Sequence, residues 1–551
     1  MKPELFWYQN LTGGMNQATN FALVENNESE LLKNVSLDKT GVWSVRNGTT
    51  KLGGTTAGGD SIWGLFSLNL ASGTHTFFRV NNGDLEKFDG TDTWTATDTD
   101  EWTTSKKVNG VNFKDRLYLG CEDGTTPLAW VVAAGTLTDV VPTIGGHHLA
   151  VNKSILAVGG NNIKQNVIFY SDPYTDNFYS ATGTCSANAD SNGANTVVTT
   201  ASILEADMIG AMLYNSTEGA MNFITDWTNA TIPYVTTDAS TATWDNDTVY
   251  VLQNNFTQDG KCTGITSFKE NFVSFDEDNM YIWDPTSNYS EKLPGYGCVN
   301  ERTVCVVGGY LIWANRDGLY LWNGEEIPVD IKGKITDPVD GYGLWNLIND
   351  TNWSSVAAGA DDTKYYFSVG TLSTLSGAPA SALANAEFVF DTQRDTWSVG
   401  SRDSRPVVYA SYINTSGAKD LYYGEKDASA VYKMNTGTTD ATDAGGTANI
   451  SYEFRTPHIV PNDPTVEWRI EKYYVRYKSG GSVTLKQSID FGTYATVDTL
   501  SASSTSTVVE VLPAADAQGH TVSLSFSGTS TLSLEAFGFV AVPISFGSHA
   551  T

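Results

Sequence analysis

Positive charge is scarce in this sequence. Its 551 residues carry 33 Lys and Arg against 62 Asp and Glu, a formal net charge of −29. That balance argues against the chain as a whole gripping nucleic acid or an anionic membrane. It suits solubility or a salty habitat, or a surface that must not stick to a polyanion passing close by. Cysteine is sparse as well: Cys121, Cys185, Cys262, Cys298 and Cys305 form no Cys-x-x-Cys pair. A zinc-finger arrangement is therefore not expected, and an odd count points to buried thiols instead of a disulfide framework. Histidine numbers six (His75, His147, His148, His458, His520, His549), too scattered for a triad. The adjacent His147 and His148 would face opposite sides of a strand, one in and one out, so joint ligation of a metal is not expected. No apolar run reaches the ~18 residues of a membrane span. The start, Met1-Lys2-Pro3-Glu4-Leu5-Phe6, lacks a signal-peptide core, so a soluble chain made in the cytoplasm is expected. Apolar spacing at helical period is missing too, and helix should be minor.

Catalytic signatures are equally thin. There is no Gly-x-x-x-x-Gly-Lys loop and no Gly-x-Ser-x-Gly elbow. Asp89-Gly90-Thr91-Asp92-Thr93-Trp94 has Gly directly after Asp, the wrong spacing for a sialidase Asp-box, while the many carboxylates leave a glycosidase pair open, since a fold can bring any two to about 5–10 Å. Asp276-Glu277-Asp278-Asn279 lies between Val273-Ser274-Phe275 and Met280-Tyr281-Ile282 and reads as an acidic hairpin turn, not a calcium loop. Asp190-Ser191-Asn192-Gly193 has no closing Glu and reads as a turn. The chain is read as non-enzymatic, with no catalytic residues, no cofactor and no metal ligands.

What the sequence does contain is a repeating block: large apolar residues, an Asp or Asn, turn formers, then Trp or Tyr. It occurs at Phe88-Asp89 to Trp94, Ile282-Trp283-Asp284-Pro285 to Tyr289, Leu321-Trp322-Asn323-Gly324, and Phe390-Asp391 to Trp397. Each copy fits the last turn of a small antiparallel sheet, with the acid or amide capping the turn and the ring packing on the next unit. With 51 glycines and 12% aromatics, this predicts an all-β chain built on a β-propeller. At about 45 residues per blade, seven blades fit, with six as the alternative.

The expected plan has five parts. Residues 1–58 form an opening segment contributing to propeller closure, ending in an alternating strand before an Asn47-Gly48 turn. Residues 59–184 give the first part of the propeller, with blades near 61–102, 104–140 and 145–184. Over 185–262 the rhythm stops, which suggests an inserted β-domain with its own short strands, including Thr196–Thr200, and with Cys185 and Cys262 close enough to bridge. Residues 263–445 resume the propeller, ending in a low-complexity linker at 436–446. Residues 446–551 read as a C-terminal β-sandwich. The signature residues Trp94, Trp283, Trp322 and Trp397 should be buried between sheets.

Gly13-Gly14-Met15-Asn16, Glu30-Leu31-Leu32-Lys33-Asn34-Val35 with Leu37-Asp38, Gly41, Val45-Arg46 and Gly48, and later Asn315-Arg316-Asp317-Gly318-Leu319-Tyr320-Leu321-Trp322-Asn323-Gly324 resemble segments of propeller proteins in the short tails of tailed bacteriophages. These are the tail nozzle, tail tubular or packaged-DNA stabilisation proteins. The resemblance implies a structural virion protein, assembled in the host cytoplasm, that forms a cyclic homo-oligomeric ring, a hexamer by family precedent. Such a ring surrounds the DNA channel below portal and adaptor, contacts tail fibres or distal tail proteins, retains packaged DNA and gates its ejection. DNA would pass without specific binding, repelled by acidic walls within a Debye length of about 8 Å. Two other readings remain: a receptor- or carbohydrate-binding tail protein, marked by exposed aromatics on one propeller face, and a polysaccharide-degrading enzyme, marked by two convergent carboxylates.

Overall fold

The computed structural model describes residues 2–17, 24–37, 41–53, 60–124, 129–131, 137–140, 144–186, 197, 199, 203, 208–229, 232–235, 244–336, 343–372, 383–414, 416–442, 444–514 and 517–544. The expected strand at Thr196–Thr200 falls largely outside them, and the Asp190–Gly193 turn and His549 wholly outside.

The chain is nearly all β. Among the described residues seven antiparallel four-strand units follow one another, six as separate sheets and the sixth in order as part of a larger one, and the first strand of each lies innermost. These strands are Ile62–Asn69, Val108–Phe113, His148–Asn152, Gly264–Phe268, Cys305–Val307, Ala357–Ala360 and Pro406–Ile413. Each inner strand neighbours the next, the fourth reaching the fifth unit through the 3-10 turn Glu301–Thr303, and the seventh returns to the first. A closed circuit of this kind is a β-propeller. Its last sheet is completed by the opening segment, because Thr50–Leu52 pairs with Val431–Lys433 as the outermost strand. One strand from the front of the chain thus locks the ring and leaves no long open edge there.

The repeating block does what its chemistry suggests. Asp89 Oδ1 accepts from the backbone N–H groups of Thr91, Asp92 and Thr93 at 2.8–3.0 Å. Asp284 caps Thr286, Asn323 caps Glu325 and Glu326, and Asp391 caps Gln393 and Arg394. The four tryptophans are buried, and their indoles find partners: Trp94 donates to Leu52 O at 3.1 Å and Trp397 to Ile331 O at 3.1 Å. Asn82 and Gly83 both have positive φ (52° and 88°), as a tight two-residue hairpin requires.

Several boundaries differ from the sequence expectation. The third sheet takes its outer strand, Asn255–Thr257, from beyond the insertion. The inserted sheet therefore starts earlier than 185 and ends before 255: Ala181–Thr184, Met212–Asn215, Ala220–Asn229, Ile232–Val235 and Thr248–Leu252. Its ends meet where Tyr170 N–H donates to Asn254 O at 3.1 Å and Asn254 reaches Asp172 at 2.8 Å. Cys185 packs inside the insert among Val197, Leu213 and Val251, whereas Cys262 packs between propeller sheets with Ile168, Ile265 and Trp283. Both are free thiols. The insert is also not self-contained, since Met212, Tyr214, Met221 and Leu252 share a cluster with Phe113, Tyr118, Leu156 and Val158 of the propeller.

Asn47-Gly48 makes no hairpin. Gly48 runs against the Thr439 backbone, where a Cβ would lie 1.8 Å from the carbonyl oxygen, so it is close backbone approach that calls for glycine. The 436–446 stretch is likewise no loose linker: Thr439–Ala441 and Thr447–Asn449 form a hairpin, and Asp440 is buried against Arg46 at 2.6 Å.

The C-terminal part is a two-sheet sandwich woven with the opening segment. Glu4–Gln9 and Trp43–Val45 pair with Leu532–Pro543. Leu31–Lys33 runs parallel to Thr396–Ser401 of the sixth propeller sheet and antiparallel to Tyr452–Arg455 of the sandwich, merging the two into one nine-stranded sheet. One apolar core, including Trp43, Trp353, Trp397, Phe454, Phe526 and Phe539, continues from propeller to sandwich. Among the described residues no helix is long and apolar enough to cross a membrane.

Candidate functional site at the propeller axis

Inner strands of all seven sheets converge on an axial cavity of about 350 Å3, whose lining is mostly small or aliphatic, with Gly110, Ile265, Ala358 and Ser411 among it. Polar chemistry enters from one side. Asn300 caps the 3-10 turn Glu301–Thr303 by accepting from Arg302 N at 3.1 Å, and the turn aims Glu301 and Arg302 at the axis.

Arg302 acts as a suture. Its guanidinium donates to Val407 O at 3.0 Å, to Trp63 O, and to Val108 O at 3.5 Å, carbonyls from the seventh, first and second sheets. Burial lowers its pKa to about 10, which leaves it charged at neutral pH. A cavity of about 350 Å3 has no room for a nucleic-acid duplex.

Glu301 meets the histidine pair. His148 opens the third inner strand; His147 precedes it in a bend after Gly145-Gly146, so strand alternation does not apply to it and the one-in, one-out expectation fails. Both are buried, 9% and 3% exposed, with ring centroids 3.8 Å apart. Glycine at 160 makes this possible: it sits at φ +72°, and a Cβ there would come within 2.7 Å of His147 Nδ1 and of His148 Cδ2.

The hydrogen bonds define the protons. His148 Nε2 lies 3.0 Å from Cys262 O; a carbonyl only accepts, so Nε2 carries hydrogen and the neutral ring presents a lone pair at Nδ1. That Nδ1 faces Glu301 Oε2 at hydrogen-bonding range. The other Glu301 oxygen accepts from Asn109, whose amide also donates to His147 O at 3.0 Å. Burial lowers both imidazoles, to about 3, and raises the Glu301 carboxyl to about 7. The shared proton therefore sits on Glu301. His147 Nδ1 makes no well-aligned hydrogen bond, the Gly160 backbone lying beside the ring. Lys107, beside the cluster, donates to Ser354 O at 2.8 Å and pairs with Glu122 at 3.7 Å.

Of the sequence candidates, the structure brings His147 and His148 together and leaves Asp276 as a turn cap, its carboxylate bonded to Asp278 and Asn279 N–H groups and to Tyr281 OH. Glu301, Arg302 and Asn109 went unnoticed in the sequence. The signal for them is weak: Asn300-Glu301-Arg302-Thr303 is a polar link between two apolar sheet repeats.

No family model and no curated protein matches this chain. Among solved structures, the Pan2 WD40 domain of Neurospora crassa is similar at 7% identity over 70% of this chain and 95% of that one, with a TM-score of 0.37. Saccharomyces cerevisiae Sqt1 is similar at 8% identity over 71% and 98%, TM-score 0.32. An exo-β-1,3-galactanase of Phanerochaete chrysosporium is similar at 10% identity over 90% and 100%, TM-score 0.23. The propeller assignment rests on the strand pairing of this chain itself.

Proposed function

We infer that this protein is a structural ring component of a short phage tail, a nozzle-type subunit through whose assembly DNA passes without being bound. The observation that carries the reading is the charge excess of −29 on a rigid propeller-plus-sandwich body. Burial accounts for little of it, because among the described residues only nine acids are buried, against four arginines, two of which pair with buried acids, Arg79 with Glu86 and Arg402 with Glu387 at 2.7 Å. The excess lies at the surface, where it repels phosphates at short range. The subunit's own axial cavity is too small for a duplex, so the channel in this reading lies between copies, six by precedent of the family that the sequence resembles. The woven opening segment suits a part under mechanical tension, since it fastens the last propeller sheet and the sandwich at once. Adaptor and portal proteins would dock above, and fibres or distal tail proteins below. Electron cryomicroscopy of the virion that carries this chain tests the proposal: an axial ring with a carboxylate-lined pore supports it, and a peripheral spike or a lumen rich in Lys and Arg overturns it.

A further inference from the structure

We propose that His147, His148 and Glu301 form a binding site for a divalent transition-metal ion of the zinc type, stapling the third propeller sheet to the turn before the fifth. The ligand atoms of the three side chains lie within 4.8 Å of one another, and two imidazoles with one carboxylate are a donor set that zinc accepts with a fourth position left open. Glu301 lines the axial cavity, which offers an ion a route of arrival.

Two features beyond proximity point to a cation. His147 Nδ1 is buried and makes no well-aligned hydrogen bond, the Gly160 backbone beside the ring being its nearest polar neighbour, although burying a poorly paired polar atom is costly. Across from it, the Nδ1 lone pair of His148 faces Glu301 Oε2, where a metal ion would take the place of the proton that the two groups share in the metal-free protein. Outer partners already hold the donors in ligating form. Cys262 O fixes the His148 tautomer, and Asn109 bridges Glu301 to the His147 carbonyl, the arrangement that orients ligands in metal sites. Positive charge from Lys107, Lys261 and Arg302 reaches the cluster and is offset in part by Glu122, which pairs with Lys107 at 3.7 Å. The inference stands apart from the tail assignment, since it concerns a single chain.

The test is isothermal titration of the chelator-treated full-length protein with zinc chloride, paralleled by cobalt(II) absorption, which reports low-coordinate nitrogen and oxygen ligation. One zinc per chain is expected, with a rise of several degrees in melting temperature at saturation. His147→Ala should weaken binding by more than about 100-fold, the upper end of what loss of a mere outer-shell partner costs. Glu301→Gln keeps a donor for His148 Nδ1, so it should preserve the metal-free fold while abolishing the zinc-induced rise. His75→Ala, at a distant surface hairpin, should bind as the unaltered chain does. Failure of the unaltered protein to take up stoichiometric zinc overturns the proposal, as does unchanged binding in both His147→Ala and Glu301→Gln.

Discussion

Two buried ion pairs of the propeller, Arg79–Glu86 and Arg402–Glu387, each belong to one sheet and reach the neighbouring sheet through a further hydrogen bond. Glu387 is fully enclosed, and its oxygens accept from Arg402 at 2.7 and 2.9 Å and from Tyr409 OH at 2.6 Å, linking the sixth sheet to the seventh. A paired buried charge adds little by itself, but removing one partner strands the other. Arg402→Met should therefore cost about 3–5 kcal/mol, and adding Glu387→Leu should recover much of it; urea unfolding of the two variants is the measurement, and a double variant no better than the single refutes the account. In the sandwich, His458 packs on Phe491 at 4.0 Å and meets Thr521 Oγ1 at 3.1 Å, and burial holds its pKa down to about 4. The unfolded chain then binds more protons between that value and the ordinary histidine range of about 6.5, so stability must rise with pH through this window. His458→Gln should flatten the rise, read as the difference between the two proteins' unfolding midpoints at pH 4 and pH 7.

At the scale of elements, what was legible in the sequence was whatever is local. Asp89, Asp284, Asn323 and Asp391 cap turns made by their next few neighbours, so the repeating block carried its structure within itself. The inner ends of the insertion were not legible, because Asn255–Thr257 belongs to the third sheet only by pairing with Val167–Tyr170 across the whole inserted domain. Nor was the axial cluster, in which His148 and Glu301 meet 153 residues apart. Because Tyr170 and Asn254 already face each other, replacing 171–253 by Asn-Gly should close a two-residue hairpin and leave the propeller folded. It should also uncover Phe113, Tyr118 and Leu156, so the shortened protein should self-associate and bind an apolar dye. Near-ultraviolet circular dichroism and light scattering decide this; a dye-silent monomer would show that the insert contributes no cover.

For the whole molecule, weaving and charge lead in the same direction. The opening segment is fixed at Arg46, which reaches Asp440 and Asn34, while Asn34 in turn holds Ser401 N and Ser451 O at 2.8 and 2.7 Å. That node ties propeller, hairpin and sandwich, so neighbours can load either face without the domains swinging. A ring of heterologous contacts closes only if the rotation between copies matches its symmetry, and an adaptor can supply that rotation. The isolated chain can therefore stay monomeric without contradicting the nozzle reading, and sedimentation alone does not decide. Affinity for DNA does. Non-specific DNA binding is driven by counterion release to clustered Lys and Arg, whereas here the 33 cations face 62 carboxylates. Electrophoretic mobility of a short duplex should remain unchanged by micromolar protein at about 0.15 M salt, where the Debye length is about 8 Å, and lowering the salt should lengthen the repulsion without producing a complex. A retarded band that strengthens as salt is withdrawn would mark a basic DNA-binding face and remove the ground for a non-adhesive channel wall.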